Sequence, residues 1–461
     1  MRALIAILFL TGPLGAQPAS TATCAPASPG VSRGAAPAVT PVATFDSAWV
    51  LIARTHWDSA GIAPRWEAAR RRLRPRAEAA RTRGELRTVI GALLDTLGQS
   101  HFRLIPEEEA DGVVPAEAPD RSGWLGMDVR LVDGVVTITS VDSGGPAWRS
   151  GVRAGWTLEA IDACPVAPLL APLARRQAPR HLPLAVQQMI ATRLAGPPGH
   201  PVAITVHDGR RATVRRPVRE ASRGLITKFG NLPPLAVDLT WQRLRRAGRT
   251  IGVIRFSLWM PALAPAFDAA LDSLRGSDGI ILDLRGNLGG VGGMVTGISG
   301  HFLDTAVTIG TMRQRGATFR FQANPRRGTA DGRQVTPYAG PLVLLVDELS
   351  ASTSEIFAAG LQALGRAHVV GSRTPGEALP SVPERLPDGD VLYHAIADFV
   401  SPRGEPIEGR GVIPDQLVSV SRRALRTVGD PALEAALTWV AARPASRSGT
   451  GPAAPPPVSG R

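Results

Sequence analysis

Three serines, Ser350, Ser352 and Ser354, stand where a run of buried-type residues gives way to a helical pattern. A serine hydroxyl acts as a nucleophile only when a base takes its proton and donors receive the charge on the attacked oxygen. Residues 342–346, Leu-Val-Leu-Leu-Val, suit a strand buried on both faces of a mainly parallel sheet. Ile356, Phe357, Gly360, Leu361 and Leu364 then recur at helical spacing. A serine at that junction lies at the carboxyl edge of the sheet, where the N–H groups of a helix start favour negative charge. Helix capping is the other use of the same serines. A candidate base is His101, in Gln99-Ser100-His101-Phe102. A lone histidine is more often structural, but one just past a rigid helix is well mounted for proton transfer. Candidate charge-receiving donors lie in Arg285-Gly286-Asn287-Leu288-Gly289-Gly290, between an apolar strand (279–284) and a helical stretch (294–302). This turn lacks the lysine and hydroxyl of a phosphate-binding loop, so backbone donation to an oxyanion fits it better than a nucleotide.

The elements that must position these groups follow from periodicity. Residues 45–104 read as helical, with capping-box spacing at Thr82 and Glu85. Leu86, Val89, Ile90, Leu93, Leu94 and Leu97 form one apolar stripe, and Gly98 stops the helix. Beyond residue 228 the pattern is α/β, with a strand over 250–256 and a helix over 265–274 that opens on Pro265. Between them, residues 124–218 form a separate unit. Gly123-Trp124-Leu125-Gly126-Met127, the alternation over 128–141, Ser143-Gly144-Gly145-Pro146-Ala147 and Ile161-Asp162 resemble a PDZ domain. That resemblance implies an added-strand peptide site, with Leu125, Gly126 and Met127 as the carboxylate-binding loop.

Length and composition exclude other classes. A chain of 461 residues with 44% hydrophobic content suits several packed domains. The net charge of +13 is carried almost wholly by dispersed arginine, Lys228 being the only lysine, and no nucleic-acid motif accompanies it. No nucleic-acid partner, metal or cofactor is therefore expected. Arg2 followed by the short apolar run 3–10 and the breakers Gly12, Pro13 and Gly15 reads as an export signal, with cleavage after Ala16. The expected location is periplasmic or extracellular, without stable membrane insertion. Cys24 and Cys164, the two cysteines, are expected to remain unpaired.

Several segments taken in order resemble the C-terminal processing (tail-specific) serine peptidase family. They are residues 283–290, residues 346–355, Gly365-Arg366-Ala367, Val370-Gly371, Ser401-Pro402-Arg403-Gly404 and residues 407–415. The resemblance implies Ser352 as nucleophile and oxyanion donors at the N–H groups of Thr353 and of Gly289 or Gly290. The best-known members pair the serine with a lysine. Here the matching stretch Thr374-Pro375-Gly376-Glu377-Ala378 carries glutamate in that place. A carboxylate cannot replace a neutral amine as base without a strongly raised pKa. The resemblance therefore points to the tricorn-core and retinoid-binding-protein-like branch. There the base maps onto His101 and the orienting carboxylate onto Glu408, acting through Ser100. Such a glutamate is expected to raise the histidine's pKa and put the acidic limb of activity at about pH 6 to 8.

The implied architecture is α/β, with a crotonase-like ββα catalytic domain, a PDZ-like β-domain and an N-terminal helical region. The expected boundaries are 1–16 signal, 17–42 flexible linker, 43–110 helical region, 111–220 PDZ-like domain, 221–441 peptidase domain and 442–461 disordered tail. The implied activity is hydrolysis of peptide bonds in protein or peptide substrates. Two other classes share the fold: a catalytically silent binding protein and a peptide-binding adaptor that uses mainly its PDZ-like unit.

Overall fold

A computed structural model describes residues 40–110, 123–227, 235–329 and 331–443. The expected signal, Cys24, Lys228, the tail after residue 443 and all but the last residues of the linker lie outside the described residues.

Three helices open the described chain: α1 (Pro41–Thr55), α2 (Ser59–Glu78) and α3 (Arg83–Asp95). Helix α1 begins two residues before the expected start of the helical region at 43, and Pro41 occupies a first-turn position where its missing N–H costs nothing. Thr82 caps α3 as expected, its hydroxyl accepting from the Glu85 N–H at 3.1 Å. The Glu85 carboxylate reaches one residue further back than a capping box requires, to the Arg81 N–H at 2.6 Å. The apolar stripe of α3 packs with Phe45, Ile52, Trp66 and Leu73 in one core.

The second unit holds strands β1 (Met127–Val132), β2 (Val135–Val141), β3 (Thr157–Ile161), β4 (Ile204–His207) and β5 (Ala212–Arg215), and helices α4 (Ala167–Arg176) and α5 (Leu182–Leu194). The alternation over 128–141 is a hairpin, turned at Asp133 and Gly134, both with positive φ (52° and 75°). Val186, Ile190 and Leu194 of α5 bury against Met127, Val129 and Ile138. Among the described residues, strand β1 is an edge strand, paired only to β2.

The third unit is a six-stranded sheet in simple sequence order: β6 (Leu239–Arg246), β7 (Arg249–Phe256), β8 (Gly279–Asp283), β9 (Leu342–Val346), β10 (His368–Gly371) and β11 (Gln416–Leu417). The first pair is antiparallel and the rest are parallel. Burial on both faces explains the unbroken apolar runs. Leu342, Leu344 and Val346 of β9 face the core under α6 (Ala264–Leu274) and α7 (Thr353–Ala363). Val343 and Leu345 face the core under α8 (Pro431–Ala441). Each fully buried Leu, Ile or Val contributes about 1.5–3 kcal/mol. The parallel strands β8, β9 and β10 therefore release three loops at one carboxyl edge, where open α/β sheets bind ligands.

The second unit is anchored to that edge by charge. Arg130 of β1 donates through Nε to Asp347 Oδ2 (3.0 Å) and through Nη1 to the Val129 carbonyl (2.9 Å). Asp347 Oδ1 also takes the N–H groups of Gly286 (2.9 Å) and Leu349 (3.0 Å). The Arg130 and Asp347 side chains are only 9% and 13% exposed, so removing one partner leaves a buried charge. Arg130→Ala is expected to lower the unfolding free energy by about 3 kcal/mol, read from the urea midpoint. A change under about 0.5 kcal/mol would mean that the pair is solvated.

Candidate active site

Ser352 ends the loop after β9 and is the residue before α7. Its backbone is in a left-handed, non-helical conformation (φ 55°, ψ −118°). The neighbouring serines are occupied in packing. Ser350 Oγ donates to the Leu284 carbonyl (2.9 Å), while Ser354 Oγ donates to the Asn287 carbonyl and accepts from Trp259 Nε1 (both 2.9 Å). Ser352 Oγ instead lies 3.3 Å from His101 Nε2.

His101 reaches Ser352 from the end of the N-terminal helices, 251 residues away in sequence. It has positive φ (62°), as does Gly98 before it. The short strand Arg103–Ile105 then pairs with Val391–Ala395, which fixes the turn. The Tyr393 ring backs the imidazole, with centroids 6.1 Å apart. His101 Nδ1 is 2.7 Å from Ser100 Oγ, and Ser100 Oγ is 2.8 Å from Glu408 Oε2. Glu408 Oε1 takes the Ser100 N–H at 2.9 Å, and Oε2 also takes the Ala378 N–H at 3.1 Å. An ionised carboxylate only accepts, so Ser100 donates to Glu408 and accepts from His101 Nδ1–H. That leaves Nε2 with a lone pair toward Ser352. The arrangement can accept the serine proton.

The histidine's pKa moves opposite to the sequence expectation. Burial, with a smaller contribution from the nearby Arg103 cation, pushes His101 down to about 3. Glu408 is held off the ring by Ser100, so desolvation dominates. The imidazole therefore stays neutral through the mildly acidic range, and its titration is not expected to give an acidic limb at pH 6 to 8.

The expected oxyanion donors separate. The Gly289 N–H is already engaged with Asn287 Oδ1 (3.0 Å), whose Nδ2 is fixed on the Phe256 carbonyl (3.0 Å). Gly290 and Thr353 N–H take no hydrogen-bond partner among the described residues. Thr353 Oγ1 donates to the Gly290 carbonyl (2.9 Å), tying the helix start to the glycine turn. Gly289 is required for approach: with φ 100°, a Cβ there would meet Ser352 Cβ at 2.7 Å. Buried Asn287 was not singled out from sequence, although its place beside two glycines marks a shaped turn.

Leu125, Gly126 and Met127 do not join this cluster. Leu125 and Met127 are buried in the second unit's core, and Met127 lines a polar cavity of about 350 Å³ together with Asp128, Arg255, Asp283 and Arg285.

Glu377 lies beside Glu408, not on the serine hydroxyl. Its Oε1 is 3.3 Å from His181 Nε2, and its carbonyl accepts the Ser352 N–H at 2.8 Å. Burial first, then repulsion from Glu408, raises its carboxyl to about 7. Among the described residues no hydrogen bond joins this side chain to the serine hydroxyl, which faces His101. Glu377→Gln is therefore expected to keep kcat/KM within about tenfold of the parent, because the carbonyl contact survives. A loss matching that of Ser352→Ala would reassign the base.

Residues 250–418 match the profile of peptidase family S41. The carboxyl-terminal-processing protease of Picosynechococcus sp. is 26% identical over 377 residues, covering 80% of this chain and 81% of that protein. Among solved structures, the photosystem II D1 C-terminal processing protease superposes with a TM-score of 0.55 at 20% identity, covering 86% of this chain and 97% of its own. Mature CPAF complexed with lactacystin gives 0.57 at 13% identity, over 87% and 97% of the two chains. At those identities the two structures establish a shared α/β fold. With the S41 match spanning β7 to β11 and the curated relative extending the likeness over most of the chain, the protein is similar to the carboxyl-terminal-processing proteases and is a serine-type peptidase.

Proposed function

We propose that this peptidase works through Ser352, His101 and Glu408, with Ser100 relaying between the last two, as an exported endopeptidase on protein or peptide substrates. The observation that carries the reading is the unbroken hydrogen-bond sequence from Glu408 through Ser100 and His101 to Ser352. His101 Nε2 takes the Ser352 proton as Oγ bonds to the scissile carbonyl carbon. The carbonyl oxygen becomes an oxyanion facing the N–H groups of Gly290 and Thr353. The imidazolium proton then passes to the leaving amine as the C–N bond breaks, giving an acyl-enzyme and a free amine. Water, deprotonated by the same imidazole, releases the acid and restores Ser352. Glu408 and Ser100 hold the ring and its tautomer without taking the proton.

Export rests on Arg2 and the apolar run 3–10. No helix among the described residues is long and apolar enough to cross a membrane. Recruitment is assigned to the PDZ-like unit. Strand β1 has one side unpaired by other strands among the described residues, α5 packs beside it, and Gly126 has φ 70° next to buried Leu125. An extended peptide can add to such an edge, with its terminal carboxylate at the Leu125–Met127 turn.

Ser352→Ala and His101→Ala are each expected to lower kcat by about three to six orders of magnitude, since members of one unit are not additive. Glu408→Gln is expected to cost less. A fluorophosphonate probe should label Ser352 in the parent; absence of labelling and of peptide cleavage would indicate a silent binding protein. Full activity in His101→Ala would return that histidine to a structural role. For recruitment, C-terminally amidated peptides should show a higher KM than free acids at similar kcat. Equal kcat/KM for the two forms removes the carboxylate-binding role.

A further inference from the structure

Glu355 lies in the first turn of α7 and is fully buried. Four donors converge on its carboxylate. Oε1 accepts from Thr374 Oγ1 (2.5 Å) and the Gly376 N–H (2.8 Å). Oε2 accepts from the Glu377 N–H (2.8 Å) and from the Ser352 N–H (3.1 Å), which it shares with the Glu377 carbonyl (2.8 Å). Thr374 Oγ1 itself accepts from the Val412 N–H (2.7 Å), so its own hydrogen is directed at Glu355. An ionised carboxylate offers about four acceptor sites, and all are filled.

This is more than a helix cap. In a capping box the first residue's side chain would accept the N–H three residues on. Ser352 and Glu355 have that capping-box geometry, but the Glu355 N–H also reaches the Ser352 carbonyl (2.9 Å), Ser352 Oγ also faces His101, and the Glu355 carboxylate reaches on to the 374–377 loop. The other end of the arrangement matters as much. The loop that Glu355 grips, residues 374–378, continues to Ala378, whose N–H holds Glu408 Oε2. One side chain thus fastens the serine backbone to the segment that seats the orienting carboxylate. Ser352 occupies a sparsely populated conformation, which persists only where its surroundings over-determine it.

We propose that Glu355 is a positioning residue of this site, holding Ser352 and the 374–378 loop in register so that hydroxyl, imidazole and Glu408 align. The inference rests on the Ser352–His101–Glu408 reading. It requires the ionised form, because a proton on the carboxyl would oust one of the four donors. Burial raises the Glu355 carboxyl to about 7, and Glu377, on the gripped loop, adds to the rise. Behind Glu377 stand Glu408, Arg180 and His181. Activity is therefore lost as pH falls through about 7. Stability moves the other way: a carboxyl whose folded value exceeds its unfolded one contributes stability below the unfolded value and loses it as pH rises through the folded one. A fall in activity from pH 8 to pH 6 with no fall in Tm separates positioning from structural failure.

The experiment compares the parent with Glu355→Gln, Glu355→Asp and Glu377→Gln. Measurements are kcat and KM on one peptide across pH, Tm across the same range, and hydrogen exchange at the Ser352, Gly376 and Glu377 amides. Glu355→Gln is expected to lose about 100-fold in kcat with little change in KM, to lose the acidic limb, and to exchange faster at those amides. Glu355→Asp should recover part of the rate, and it carries the test if the glutamine variant does not fold. Glu377→Gln should keep the limb. A glutamine variant with parental kcat, limb and amide protection overturns the proposal, and so does a limb that moves with Glu377→Gln instead. Hydrogen exchange reads the positioning role even in a chain that fails to cleave peptide or label with fluorophosphonate, so failure of the catalytic reading remains a separate outcome.

Discussion

The direction of one hydroxyl governs the proposed catalytic cluster of this molecule. Ser100 Oγ sits between a group that can only accept and a ring that can do either, 2.8 Å from Glu408 and 2.7 Å from His101. With the carboxylate ionised, the hydroxyl hydrogen must point to Glu408, the Nδ1 hydrogen must point to Ser100, and the Nε2 lone pair must face Ser352. A direct carboxylate–imidazole contact would favour the charged ring strongly. Interposing a neutral hydroxyl keeps the orientation while weakening that field, and burial then holds the ring neutral.

Three loops from adjacent parallel strands make this alignment possible, and each is fixed by a buried polar side chain. Asp347 binds the Gly286 N–H across to the glycine turn. Asn287 answers by accepting the Ala351 N–H on its carbonyl (3.1 Å). Glu355 grips the third loop. These residues lie 9% exposed or less, and the low dielectric that would penalise them if unpaired strengthens every contact they make. The sheet supplies the common edge, while the buried acceptors set the spacing along it.

Much of this was legible in residue order. The run over 342–346 is the strand Leu342–Val346, and the helix after it starts at Thr353. Those assignments depend on burial period, which one sequence window contains. The Asp133-Gly134 hairpin was missed because alternation continues across a two-residue turn and so disguises the reversal. The direction of the His101 shift was missed for a different reason. A carboxylate in the sequence suggests attraction, but desolvation depends on what surrounds the ring in space. Which of the two glycines keeps a free N–H depended on where the Asn287 side chain turns, and the fourfold engagement of Glu355 joins residues 352 to 377 around one buried atom pair. Neither leaves a periodic trace.

The Arg130–Asp347 pair bears on how freely such chains can be recombined. A unit spanning 123–221 looks like a cassette, with its own apolar core. Yet its edge strand carries the only guanidinium hydrogen-bonded to Asp347 among the described residues, across 217 positions. A replacement cassette from another protein would have to bring an arginine at the same register of the same edge. Without it, the graft would strand a desolvated anion five residues before the serine in the same loop. Modularity here ends at border charges such as this one and the Asp128–Arg255 pair (2.9 Å), and compatible border residues matter more to a working chimera than overall likeness of the inserted unit.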